Sequence, residues 1–255
     1  MTGTVMDILI LRLQAPLMAF GGPMIDQNGP TGRFPGLSQL AGLLGNALGW
    51  RHGDAAALTR LQARLRPLCL ELGTTGERLT DFQTVDLGLP FMNGTGWTTR
   101  GRREGRGSGA ATRETHIRLR DYRVETTVIV LLRLLDADEL PTVADLLAAL
   151  RQPARPLFIG RKPCLPSDFI GVGTVQAVTL FAAAQTLLSQ GLPPQPHESA
   201  AARWTALDAQ WPEDEPGAGT FSHREAVFDR RDWRNQSHGG ERIVHQGRLN
   251  RTDSL

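Results

Sequence analysis

The chain has 255 residues, two cysteines, 21% charged residues and a formal net charge of +2. That length buries a core without staples, and Cys69 and Cys164 are too few for a disulfide framework or a thiolate metal set. No run of about 18 apolar residues suggests a membrane helix, and the apolar N-terminus carries Asp7 and Arg12 without a small-residue cleavage site, so a soluble, cytoplasmic protein with no membrane partner is expected.

Taken in chain order, VMDILILRL (5–13) reads as a buried strand. GPTGRFPG (29–36) is a glycine- and proline-rich loop around Arg33. LSQLAGLLGNALGW (37–50) reads as a helix with Leu37, Leu40, Leu44 and Leu48 on one face and Gly42, Gly45 and Gly49 opposite. Each interior glycine costs about 1 kcal/mol against alanine. Three of them imply close approach, either tight packing on a sheet or neighbouring subunit, or a ligand. The helix start offers unpaired N–H groups and a favourable dipole to an anion such as phosphate, with Gly32, Arg33 and Ser38 beside it. Residues 57–65 form a second helix, and 67–73 with 78–85 read as a hairpin.

Residues 88–114 follow, with Trp97, Arg100, Arg102, Arg103, Arg106 and Arg113 among many glycines. Such a tract builds no core but folds onto a nucleic-acid backbone, with Phe91 and Trp97 able to stack on bases. Flanking strand-like segments make it a long hairpin rather than a linker. In THIRLRDYRVE, an extended chain puts His116, Arg118, Arg120 and Tyr122 on one face. That stripe suits either a strand of RNA or solvent. Residues 121–134 are the strongest strand signal. Residues 142–152 read as a helix capped by Thr142 with Asp145 three residues on. PLFI leads as a strand-like piece into a basic turn at Gly160, Arg161 and Lys162. GVGTVQAV (171–178) reads as a strand, and 179–191 as a helix ending at Gly191. Residues 192–255 read as a small, strand-poor C-terminal appendage of weak β character.

The element order is that of an α+β, ferredoxin-like domain, the scaffold of RNA-recognition folds, over residues 1–191. No strand carries the aromatic RNA-stacking pattern, so RNA binding is expected through loops. Lys162 is the only lysine among 28 basic residues. Arginine usage of this kind fits GC-rich coding or selection for planar phosphate donors. The six histidines show no metal spacing. An enzyme would have to draw its proton-transfer groups from His116, Tyr122 and Lys162.

Four pieces in this order, LILRLQAPLMAFG, GPTGRFPGLSQLAGLLGNALG, ETHIRLRDY and PLFIGRKPC, resemble the Cas-five family of type I-E CRISPR surveillance complexes (Cascade), within the repeat-associated mysterious protein (RAMP) superfamily. The likeness covers roughly residues 5 to 180, with a looser match around REAVFDRRDW. It implies a ferredoxin-like domain with a long thumb hairpin over 86–119 and a small C-terminal β region. It implies a non-catalytic subunit of an antiviral ribonucleoprotein that caps the complex and grips the 5′ handle of the CRISPR RNA. The backbone and large subunits would be partners, target DNA would lie nearby, and no cofactor or metal is implied. By position, Thr31, Gly32, Arg33 and Phe34 up to Pro35 would form the handle-contacting loop. Arg120 matches the arginine of the family's R-[DE]-Y step at the thumb base. The thumb here is longer and richer in Gly and Arg than the family pattern. In another subtype the corresponding subunit is itself a metal-independent nuclease that processes repeat RNA, which is the alternative function.

Overall fold

The computed structural model describes residues 4–22, 24, 27–72, 77–86, 115–192, 205–215 and 223–251, with the backbone alone of 96–97, 103–104 and 222. In chain order these give β1 (Met6–Met18), β2 (Asn28–Gly29), α1 (Leu37–Ala47), α2 (Ala55–Arg64), β3 (Leu65–Leu72), β4 (Glu77–Asp86), β5 (Gly96–Trp97) and β6 (Arg103–Glu104). They continue with β7 (Thr115–Leu134), α3 (Val143–Arg151), β8 (Gly171–Ala177), α4 (Leu180–Gln190), β9 (Ala206–Pro212), β10 (Ser222–Val227), β11 (Arg231–Asp232), β12 (Ser237–His238) and β13 (Arg242–Asn250).

One large, mostly antiparallel sheet organises the chain, in the order β10-β13-β9-β3-β7-β1-β8. Within it β1, between β7 and β8, is an almost continuous apolar run because both faces are covered. Leu9, Leu11 and Leu13 pack with residues of α1, α2 and α3 on one side. Ile8 and Ile10 pack with Leu180, Leu187 and Leu188 of α4 on the other. Each fully buried aliphatic side chain of this kind stabilises by about 1.5–3 kcal/mol. The leucine face read on α1 is the buried face: Leu37, Leu40 and Leu44 are at most 3% exposed.

β7 is 20 residues long and carries most of the pairing. β1 runs antiparallel along one edge, from Leu9 opposite Leu132 to Met18 opposite Arg123. β3 and β4 both lie on the opposite edge, end to end: β3 pairs from Leu65–Leu134 to Leu72–Thr127, and β4 from Glu77–Val124 to Asp86–Thr115. The hairpin expected between 67–73 and 78–85 is therefore corrected. Those segments do not pair with each other, and both pair with β7. The Asp86–Thr115 pair ends a long two-stranded arm. At the junction, Glu125 of β7 takes a positive φ of 49°, opposite the break between the two partner strands.

Two further expectations change. PLFI is irregular, not a strand, because Ile159 serves as a bridge: its carbonyl accepts from the Ala19 N–H and its N–H donates to the Cys164 carbonyl. The C-terminal residues are not strand-poor. β9 joins β3 at Cys69–Gln210 to Glu71–Asp208, and β13 and β10 extend the same sheet. Trp211 on β9 packs edge-on to Phe181 of α4, their ring centroids 5.3 Å apart.

The start of α3 matches its sequence signature. Thr142 Oγ1 accepts from the Asp145 N–H and the Asp145 carboxylate accepts from the Thr142 N–H, a reciprocal cap. Thr142→Ala should lower the unfolding free energy by about 1 kcal/mol, read as a lower denaturant midpoint at unchanged slope. Among the described residues no helix is long and apolar enough to cross a membrane.

Candidate nucleic-acid interface

Three of the segments singled out in the sequence converge where the β4–β7 arm leaves the sheet. β2 lies parallel against β7, Asn28 opposite Leu119 and Gly29 opposite Arg120. The basic turn reaches the same place: Arg161 donates to the Asp121 carbonyl at 2.7 Å and to the Gly29 carbonyl at 2.8 Å. Its guanidinium sits 4.8 Å from the centre of the Tyr122 ring. Arg120 donates to the Gln27 carbonyl at 3.4 Å. The loop 29–36, the arm and the turn 160–162 thus form one continuous surface.

Gly160 makes the approach possible. Its φ is +93°, and a β-carbon there would lie 1.7 Å from the Ala19 carbonyl oxygen. Ala19 ends the segment that leads into the loop, where the Phe20 N–H donates to Thr31 Oγ1 at 2.9 Å and the Gly32 N–H donates to the Phe20 carbonyl.

Along the arm, cross-strand partners share a face. Arg118 and Arg120 stand opposite Gln83 and Asp81, and His116 opposite Val85. Arg118 and Arg120 are partly exposed and Lys162 is exposed. On the other face Asp121 is buried. Burial alone would raise its pKa, but hydrogen bonds from Thr80 and Arg78 hold it below the ordinary carboxylate range.

Several expected site residues are placed differently from the expectation. Arg33 does not present an open guanidinium. Its Nε donates to Glu71 at 2.5 Å and its Nη2 to Asp208. Burial alone would lower its pKa, yet the two carboxylates raise it. Glu71 is 2% exposed and also accepts from Arg123, so the loop is tied to β3, β7 and β9 by one ionic cluster. Phe34 is 7% exposed and packs in the core, so its ring is not available to a base. Tyr122 is 5% exposed beneath Arg161.

The anion expected at the start of α1 is the chain's own Asp229. Its carboxylate accepts from the Leu37 N–H at 2.9 Å, and its carbonyl accepts from the Ser38 N–H. Arg242 grips the same carboxylate at 3.0, 3.0 and 2.7 Å. Gly36 fits against it, since a β-carbon there would stand 3.0 Å from Asp229 Cβ. The glycines of α1 admit neighbours in the same way. Gly45 faces Leu58 of α2, and Gly42 lies against Trp233, in favour of close packing. α4 repeats the device, with Glu215 accepting from the Leu180 N–H at 2.6 Å.

Arg100, Arg102, Arg106 and Arg113 lie outside the described residues, as does Phe91. Trp97 and Arg103 are described by backbone alone, paired in the short β5–β6 ladder. Both cysteines are free and buried, and burial pushes the Cys69 thiol up to about 12. No group of three or more metal-ligating side chains occurs among the described residues. Sequence reasoning missed Glu71, Asp208, Asp229 and Arg242. Nothing local marks them, because their partners lie tens to nearly two hundred residues away.

Comparison with known proteins places this geometry in a family. A profile for "CRISPR-associated protein (Cas_Cas5)" matches residues 8–245. The chain is 32% identical over 171 residues to the CRISPR system Cascade subunit CasD of Escherichia coli (strain K12), covering 66% of this chain and 71% of that protein. Its fold is similar to a chain of a solved CRISPR RNA-guided surveillance complex, with a TM-score of 0.63 and 20% identity over 95% of this chain and 90% of that one. A solved Cas protein matches with a TM-score of 0.58 and 20% identity over 96% and 95%.

Proposed function

This chain belongs to the Cas5 family of CRISPR-associated proteins, and from that membership we propose that it is a non-catalytic RNA-binding subunit of a Cascade complex, holding the 5′ handle of the CRISPR RNA. The observation that carries this reading is the convergence of the loop 29–36, the arm and the turn 160–162 into one arginine-bearing surface. Arg118, Arg120 and Lys162 are the phosphate contacts, His116 lies in line with them, and Arg161 sets the turn. Thr31, Gly32, Arg33, Phe34 and Ser38 shape the adjoining loop rather than offer it as free donors. The tract 86–119 is the proposed thumb, and Trp97, Arg100, Arg102, Arg103, Arg106 and Arg113 are its proposed RNA-contacting residues.

The finer fold reading is ferredoxin-like. The order β3-β7-β1-β8, all antiparallel, with α1 and α3 following β1 and β7 on one face, supports it. Residues 1–191 then form that domain and 192–255 a β-rich extension of its sheet. The backbone subunit, the large subunit and nearby target DNA are the proposed neighbours, in the cytoplasm.

Arg118→Ala with Arg120→Ala should weaken RNA binding by the assembled complex about tenfold or more at moderate salt, and flatten the salt dependence by about two units of log–log slope. Unchanged affinity and slope would contradict the interface.

A second reading, a metal-independent ribonuclease, needs two proton-transfer groups within about 3 Å of the reacting oxygens. Tyr122 is buried under Arg161, and His116 is six residues along the strand from it, about 20 Å. Tyr122→Phe and Lys162→Ala should therefore leave the length of the mature RNA unchanged. Single-site cleavage of repeat RNA in EDTA by this chain, abolished by Tyr122→Phe, would establish the nuclease instead.

A further inference from the structure

The glycine-bearing flank of α1 borders a groove of about 550 Å³, within the range of small-ligand sites. Gly42 and Gly45 line it together with half-buried Trp50 and Phe158 and exposed His52. Among the described residues, three arginines line it, Arg51, Arg155 and Arg231, and no carboxylate does. Arg155 is spent on neutral acceptors, Asn46 Oδ1 and the carbonyls of Gly49 and Trp50, so its charge is uncompensated. Arg231 donates to Gln236 Oε1, also neutral, and its buried Nε has no partner. Flat ring surface beside unneutralised guanidinium charge suits a ligand that is planar and anionic.

The groove adjoins the interface described above through the turn 160–162. Gly160 lines it, and the next residue, Arg161, binds the base of the arm. We propose that this groove takes one nucleotide of single-stranded RNA, turned out of the strand held along the arm. Its base lies against Trp50 and His52, and its phosphate lies by Arg51 and Arg231. The inference rests on the RNA-binding reading and adds a second, separate site to it. It also gives Gly42 a purpose beyond packing, since a large side chain there would fill the space.

The test is photo-crosslinking of 4-thiouridine-substituted CRISPR RNA in the assembled complex, with crosslinked peptides mapped by mass spectrometry. Crosslinks to a peptide containing Trp50–His52, in addition to peptides of residues 115–122, are expected. Gly42→Leu and Arg51→Ala should each abolish the first set and keep the second, and weaken RNA binding about tenfold. Arg51 is exposed, so its replacement carries no packing change. Crosslinks on the arm alone would overturn the groove assignment and leave the RNA-binding reading standing. Crosslinks at neither place would overturn both. A peptide of a neighbouring protein seated in the groove, trapped by chemical crosslinking, would likewise overturn it.

Discussion

Gly160→Ala should destabilise the protein by at least about 3 kcal/mol and remove RNA binding along with it. Two costs combine. The backbone has φ +93°, which a residue with a β-carbon adopts only under strain. The β-carbon would also stand 1.7 Å from the Ala19 carbonyl oxygen, which is backbone and cannot swing aside. The turn must back away, and Arg161 then loses the Gly29 and Asp121 carbonyls and its seat over Tyr122. Chemical denaturation gives the stability, and RNA binding of whatever folds gives the coupling. A variant with wild-type stability would mean that the turn is not held as described.

Glu71→Ala should be comparably costly, about 3–5 kcal/mol. Glu71 is 2% exposed and faces Arg33 on one side and Arg123, itself 11% exposed at the side chain, on the other. Removing it leaves Arg123 buried without a counter-charge and frees one of the two ties on the loop arginine. The double replacement with Arg123→Ala should cost less than the sum of the singles, since the stranded charge goes with it. Strict additivity in urea unfolding would show that the pair does not interact. Arg33→Ala belongs to the same cluster, so any loss of RNA affinity from it reports loop position rather than a lost phosphate contact.

What the sequence revealed and what it hid divides by range. The leucine periodicity of α1, the Thr142–Asp145 cap and the apolar run of β1 are local patterns, and each produced its element. The basic turn could be recognised at Gly160–Lys162, but its position beside the loop could not, because Arg161 and Gly29 are 132 residues apart. The β3–β4 pair misled for a related reason. Two adjacent strand-like runs with a break between them look like a hairpin, and only the unusual length of β7 gives both the same partner edge. The C-terminal strands were masked by flanking proline- and acid-rich stretches. Their role is long-range, since Asp229 and Glu215 supply the anions at the starts of α1 and α4. The glycine and arginine signal around residue 33 reads as a phosphate site at a helix start, but that position is filled by the chain's own Asp229, and Arg33 is bound instead to Glu71 and Asp208.

The central claim is tested most directly by purifying this chain co-expressed with the products of its neighbouring genes and sizing the RNA that comes with it. A bound RNA of one uniform length is predicted, retained through high-salt washing by the unaltered chain and lost when Arg118 and Arg120 are both replaced by alanine. Purification free of RNA, or with RNA of random length that the double replacement does not affect, would contradict the account.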